Sequence, residues 1–282
     1  MLTYPNISPI IAKLGPLELR WYGLMYVIGF ILAYFIIKWE SKRKGLNYSE
    51  DDIYDFVFYL ILGVIIGGRI GYIFFYNFDY YITHPSEMLM INKGGMSFHG
   101  GFLGSMLAAV IFCKRRKFNF FELTDMVALA GPLGLGFGRI GNFINGELYG
   151  RVVDSDFFLA MVFPTGGPEP RHPSQLYESF FEGFLLFGIL YFISRRNPKR
   201  GTIFWAFMMF YGLFRFFIEF TRQPDAQLGL ILGNQFSMGQ LLCIPMFLSG
   251  LIMIIVINTS KEKGQKTEHE NSERILENPT EE

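Results

Sequence analysis

The apolar residues of this chain come in long blocks, without the alternating or 3.6-residue patterns of half-exposed elements. Seven blocks are long enough, at roughly 17 to 25 residues, to cross about 30 Å of hydrocarbon as helices. They run from Trp21 to Trp39, Ile53 to Tyr76, Met96 to Phe112, Leu123 to Phe143, Ser174 to Ile193, Thr202 to Thr221 and Phe236 to Ile257. The predicted fold class is an all-α integral membrane protein with seven transmembrane helices. One helical domain covers residues 1–260, with a small external cap at about 142–173, where Gly and Pro are frequent. The remainder, 261–282, is polar and charged and is expected to be a disordered tail.

Charge sets the orientation. Alternate connections are strongly basic: Lys42, Arg43 and Lys44; Lys114, Arg115, Arg116 and Lys117; Arg195, Arg196, Lys199 and Arg200; then Lys261, Lys263 and Lys266. The positive-inside rule puts these in the cytoplasm, so the N-terminus is expected in the periplasm and the C-terminus inside, as an odd number of spans requires. The intervening segments carry scattered basic residues only, among them Lys93, Arg151, Arg171 and Arg222. The first twenty residues contain Pro5, Pro9 and Pro16 and lack the basic start and short apolar run of a cleavable signal peptide. The first helix is therefore expected to stay as an anchor.

Composition agrees. Of 282 residues, 51% are hydrophobic and 32 are Phe, more apolar material than one soluble core hides. The formal net charge of +0 says nothing, because position matters more than sum in a membrane protein. Cys113 and Cys243 lie in or beside apolar segments and read as packing residues. No CxxC or HExxH spacing, no dense ligand set and no internal repeat is present, so no metal and no cofactor are expected, and no nucleic-acid partner.

Ionisable residues within the blocks cluster at one depth. Tyr22 and Tyr26, Arg69, His99, Arg139, Glu178 and Glu182, and Arg215 and Glu219 all fall in the outer halves of six of the seven helices. Charge inside a span is costly, so convergence points to one polar chamber. Any single member has a plainer reading: Arg215 and Glu219, at i and i+4, can simply neutralise one another. Several pairs at the same depth would each incur desolvation for no gain in stability. The stretches GGRIGY, GGMSFHGGFLG and GPLGLGFGRIGNFINGELYGR place Gly beside polar residues, leaving room for close helices or a ligand.

At Gly138 to Arg151, GRIGNFINGELYGR closely resembles the signature of the prolipoprotein diacylglyceryl transferases. RWYGLMY (Arg20 to Tyr26), GGRIGYIFFYNF (Gly67 to Phe78), GGMSFHGG (Gly94 to Gly101), RHPSQLYE (Arg171 to Glu178) and FRFFIEFTRQPDAQ (Phe214 to Gln227) follow the family's order across nearly the whole helical region. Arg20 stands where some members carry His, and the segment before Arg171 is short beside longer members. The resemblance implies an enzyme of the bacterial inner (cytoplasmic) membrane. It would move the sn-1,2-diacylglyceryl group of phosphatidylglycerol to the lipobox cysteine of a prolipoprotein signal peptide, forming a thioether and releasing glycerol 1-phosphate. Its partners are then phosphatidylglycerol, the lipobox precursor and membrane lipid.

That reaction needs an activated thiol and a stabilised phosphate. A free thiol is mostly protonated near neutrality, which makes His99 the candidate base. Arg139 and Arg215 present planar donor forks suited to a phosphodiester and to its more negative leaving group. Tyr26 is a candidate donor to phosphate or aid to the base. Asn142, Asn145 and Glu147 are expected to bond the glycerol head group or hold Arg139, and Glu219 to orient Arg215. Gly150 reads as backbone permissiveness in the external turn. Arg69, Glu178 and Glu182 receive no assigned role. From the residues alone, a multi-pass transporter of an anionic solute remains the alternative, with Arg69, Arg139 and Arg215 lining its path. It requires polar residues in both membrane halves, whereas the inner halves read as apolar. A scaffold for partner proteins would leave the polar cluster unexplained.

Overall fold

Every predicted apolar block folds as a helix, and local capping chemistry sets the ends. The chain, in a computed structural model, is described for residues 1–259 except 6, 16, 47, 91–93, 224–229 and 232–234. For Leu14, Leu17, Phe98, His99, Leu230 and Ile231 the backbone alone is described. The polar tail at 261–282 lies outside the described residues.

A hairpin of β1 (Ile10–Leu14) and β2 (Leu17–Arg20) leads into α1 (Trp21–Arg43). Then come α2 (Glu50–Tyr76), the short α3 (Phe78–Thr83), α4 (Phe98–Arg116) and α5 (Phe120–Asn145). After an irregular cap, α6 (Ser174–Glu178) passes through a π-helical stretch, Ser179–Leu185, into α7 (Leu186–Ser194), making one rod. Helix α8 (Thr202–Ile218) follows, then the two-residue strands β3 (Leu230–Ile231) and β4 (Phe236–Ser237), which pair, and α9 (Met238–Thr259). Ser49 and Asp52 form a capping box at the start of α2, beside an acidic first turn that suits the helix dipole. Asn119 caps α5, and Gly146, at φ 67°, closes it in the left-handed conformation. The helix therefore runs past Phe143, and Asn142 and Asn145 belong to its last turn instead of opening the external cap.

Five of these helices are long and apolar enough to cross a membrane: α1, α2, α5, the α6–α7 rod and α9. The other two predicted spans fall short for separate reasons. Helix α4 has a glycine-rich first half and Lys114, Arg115 and Arg116 in its last turn, and α8 is 17 residues long. The chain is thus a multi-pass, mostly helical membrane protein.

Glycines bring the rods to backbone contact. Gly63, Gly67 and Gly71 on α2 face Gly100 and Gly104 on α4, and a Cβ on Gly71 would lie 2.8 Å from Gly100 Cα. Cys113 and Cys243 are buried and free, as packing residues are.

At one end of the bundle the basic connections gather. Arg43 reaches the Ser194 carbonyl at 2.8 Å and Asn197 at 2.6 Å; Arg116 pairs with Asp52 at 3.5 Å and also with Asp55; Arg200 pairs with Glu122 at 2.6 Å. That end of the bundle, which the sequence reads as apolar, is not wholly so. Glu40 and Asp125 are buried there, each satisfied: Glu40 by Arg43 at 2.6 Å, Asp125 by the Gly201 and Phe204 amides at 2.7 and 2.8 Å. Asp125 thereby caps α8, whose own N-cap residue, Gly201, has no side chain to do so.

Candidate active site

The C-terminal ends of α5 and α8 meet the start of the α6–α7 rod, and their charged residues converge there. Glu178, the last residue of α6, is fully buried. Its Oε2 lies 2.7 Å from Arg139 Nε, 3.0 Å from Arg215 Nη1 and 3.7 Å from Arg222 Nη1. One oxygen is thus shared by three guanidinium groups, from α5, from α8 and from the segment that follows α8. Glu178 Oε1 is buried without a hydrogen-bond partner among the described residues. Arg215 also lies 3.5 Å from Glu182 Oε1 and 2.7 Å from Glu219 Oε2, and Arg222 Nε is 3.7 Å from Glu219. Glu219 accepts from Ser237 Oγ at 3.0 Å, which ties the cluster to the end of β4, just before α9. Three buried pairs cost more desolvation than they return in stability, so stability alone does not account for them.

Local backbone geometry places these groups. Gly136 on α5 and Gly183 in the π-helical stretch meet backbone to backbone: a Cβ on Gly183 would lie 2.5 Å from Gly136 Cα. Ser179 Oγ donates to the Gly136 carbonyl at 2.9 Å, fixing the register. Wide π turns inside α-helices are frequent at functional sites, and this one carries Glu182 and adjoins Glu178.

Arg139 is held on its other side by the last turn of α5. Its Nη1 donates to Asn142 Oδ1 at 3.5 Å, and Glu147 Oε1 accepts from Asn142 at 2.9 Å and Asn145 at 3.1 Å. The Glu147 carbonyl in turn accepts from Gln175 at 2.7 Å, joining this turn to α6. Gly150 needs small size for a different reason than expected. Its φ is not positive; Leu148 and Gly146 take that conformation. Gly150 instead bridges Arg222 in antiparallel fashion, and a Cβ there would meet the Thr221 carbonyl and His172. The cap thus closes over the end of α8, with Arg151 donating to the Arg222 carbonyl at 2.7 Å and Arg171 to the Gly166 carbonyl at 3.0 Å. Phe143, Met161 and Phe163, with Tyr4 and Tyr149, give the cap its own small core.

The other candidates fall differently. Tyr26 is 45% exposed and reaches the site through Tyr22, whose hydroxyl is 3.0 Å away and whose ring packs on Gly141 of α5. Arg69 stands apart from the cluster. Its guanidinium donates to the carbonyls of Met88 (2.7 Å), Gly94 (2.6 Å), Gly95 (3.2 Å) and Glu87 (2.7 Å), and lies over the Tyr81 ring. It fastens the segment that leads into α4 and does not line a path, so the single chamber expected from sequence excludes it. His99 occupies the first turn of α4, capped by Ser97, but its side chain lies outside the described residues.

Three members of the cluster, Glu178, Glu182 and Arg222, have no role assigned from sequence. Glu178 is its hub, and Arg222 had been grouped with the scattered basic residues of the external segments. A signal existed: Arg222 stands three residues past Glu219 and seven past Arg215, one helix face. An apolar groove lined by Tyr177, Phe181, Phe214, Phe217, Ile218 and Thr221 runs beside these charges.

The sequence profile of the prolipoprotein diacylglyceryl transferase family matches residues 9–256. A phosphatidylglycerol–prolipoprotein diacylglyceryl transferase of Geobacter sulfurreducens is 54% identical over 260 residues, covering 92% of this chain and 99% of that protein. One from Francisella tularensis subsp. novicida is 49% identical over 266 residues, covering 94% and 98%.

Proposed function

The chain belongs to the prolipoprotein diacylglyceryl transferase family, and we propose that it transfers the sn-1,2-diacylglyceryl group of phosphatidylglycerol to the lipobox cysteine of prolipoproteins. The observation that carries the mechanism is the gathering of Arg139, Arg215 and Arg222 around Glu178 beside an apolar groove. A lipid needs both at once: guanidinium for its phosphate and aromatic surface for its acyl chains.

In the proposed reaction the cysteine thiolate attacks the glycerol carbon that bears the phosphate. A C–S bond forms, the C–O bond breaks, and the oxygen keeps the electron pair as glycerol 1-phosphate leaves. His99 takes the thiol proton. Arg139, the most open guanidinium of the cluster at 20% exposed, grips the phosphate, and Arg215 supports it from below. Charge on the leaving oxygen grows as the bond breaks, so preformed donors favour the transition state over the ground state. Asn142, Asn145 and Glu147 hold Arg139 and offer amide and carboxylate groups to the free glycerol. Glu219 orients Arg215, Gly150 lets the cap close over the end of α8, and Tyr26 acts with Tyr22 at the edge of the site.

The seven-span topology belongs to this reading, with α4 crossing against the glycine face of α2 and α8 crossing against α5 and α9. The gathered basic connections support a cytoplasmic position for that end, which puts the N-terminus and the arginine cluster on the periplasmic side of the inner membrane. Purified protein incubated with phosphatidylglycerol and a lipobox peptide should add the diacylglyceryl mass to the cysteine, and should not do so when phosphatidylethanolamine is the only lipid. No lipid-dependent mass gain would sink the proposal. A transporter is disfavoured: Glu40 and Asp125 at the inner end are spent on structural bonds, and Arg69 on carbonyls.

A further inference from the structure

A phosphodiester carries one negative charge, whereas the released phosphate monoester carries close to two at neutral pH. A site that binds the first through arginines binds the second more tightly still, so turnover needs a means of letting it go. We propose that Glu178 is an internal anion that holds the arginine cluster when no phosphate is bound and displaces the departing glycerol phosphate by taking Arg139 and Arg215 back. This rests on the transferase reading of the same site.

Three observations carry it. First, Glu178 meets the arginines with a single oxygen, while Oε1, equally buried, has no hydrogen-bond partner among the described residues. A carboxylate fixed for structure alone gains most by spreading its donors over both oxygens, as bidentate pairs do. Second, the arginines differ in what else they have. Arg215 keeps Glu182 at 3.5 Å and Glu219 at 2.7 Å, so it stays compensated if Glu178 is traded away. Arg139 has Glu178 as its carboxylate partner among the described residues, and it is also more exposed than Arg215 or Arg222, at 20% against 13% and 12%. The guanidinium that a phosphate reaches first is therefore the one that exchanges Glu178 for it. Third, the charges balance. Arg139, Arg215 and Arg222 face Glu178, Glu182 and Glu219, so the cluster has no formal net charge before lipid enters. One lipid phosphate leaves it mildly negative, and the monoester product leaves it more so, with Glu147 adding to the repulsion nearby. Like-charge repulsion in a buried site is strong enough to select between those two states.

The test is inhibition by added product. Full-length protein in detergent, with phosphatidylglycerol and a lipobox peptide, is assayed at rising glycerol 1-phosphate. Glu178→Gln keeps the shape and removes the charge. It should be inhibited at about tenfold lower glycerol 1-phosphate or less, with a lower kcat and a burst of modified peptide in the first turnover. Disturbed folding would move inhibition the other way, because a damaged site binds anions less well. Unchanged or weaker inhibition in a variant that unfolds at the wild-type temperature overturns the proposal. If Glu178→Gln does not fold, Glu178→Asp keeps the charge but withdraws it by one methylene, and should shift inhibition in the same direction by a smaller factor; no shift there overturns it equally. Calorimetric titration of glycerol 1-phosphate into wild-type and variant protein reads the same ratio without turnover. A wild-type protein that fails to modify the peptide thus counts against the transferase reading, while the ratio still decides the part played by Glu178.

Discussion

Replacing Arg139 by Ala separates binding chemistry from architecture. The side chain lies 2.7 Å from Glu178 Oε2 and donates to Asn142 at 3.5 Å, and it is 20% exposed, so a lipid phosphate reaches it. Its loss does not leave Glu178 alone, because Arg215 remains at 3.0 Å and Arg222 at 3.7 Å. The cost to folding should be about 1–2 kcal/mol, well below the 3–5 kcal/mol of an orphaned buried charge. The cost to the transition state is larger. Two charge-assisted hydrogen bonds to the leaving phosphate, at about 1.5–3 kcal/mol each, come to roughly 3–6 kcal/mol, or a loss of about 10² to 10⁴ in kcat/KM. Arg139→Lys restores the charge without the planar fork and should recover only part of that loss. The assay follows peptide mass gain by mass spectrometry, at phosphatidylglycerol concentrations that give kcat and KM separately, with thermal unfolding in the same detergent. An Arg139→Ala protein within fivefold of wild type in kcat/KM would refute the assignment of the phosphate to this arginine, whatever its stability.

Gly183→Ala would force a Cβ to 2.5 Å from Gly136 Cα, so α5 and the π-helical stretch must separate, at about 1–3 kcal/mol. Activity should fall further than the unfolding temperature does, since Glu178 moves with the rod; an active Gly183→Ala protein would show the contact to be slack. Asp125→Ala removes two charge-assisted bonds to the α8 amides and should cost about 3 kcal/mol or more, with Asp125→Asn costing less, read by denaturation in mixed micelles. Equal stability of all three proteins would dismiss the capping role. His172 in the cap is pushed below the ordinary histidine range by burial. Its neutral form is favoured in the folded state, so its contribution is present above about pH 6.5 and lost as pH falls through the depressed folded value. Between about pH 7.5 and pH 5, His172→Gln should lose less thermal stability than wild type, and parallel slopes would rule the linkage out.

Much of the architecture was legible because membrane helices announce themselves locally. An apolar run of the right length forms a helix wherever it occurs, and Ser49, Asn119 and Gly146 mark ends by short-range bonding. The family motifs and the depth of Arg139, Arg215 and Glu219 also lie in the linear order, as does the i and i+4 pairing of the last two. Arg69 shows the limit. From sequence it shares a depth with the other arginines, yet its donors go to four carbonyls some 20 residues ahead in the chain, a partner set that no local pattern specifies.

The sequence by itself determined the solvent this protein lives in, its helices and the chemical types available at one depth, since each depends on residues near one another in the chain. Only the tertiary structure decided that Glu178, without an assigned role from sequence, is the group on which Arg139, Arg215 and Arg222 converge. Those arginines sit about 39, 37 and 44 positions from it in the chain. Their meeting depends on how three rods pack, and that is settled by contacts such as Gly136 against Gly183. Burial and charge then act through space, where distance along the chain has no weight.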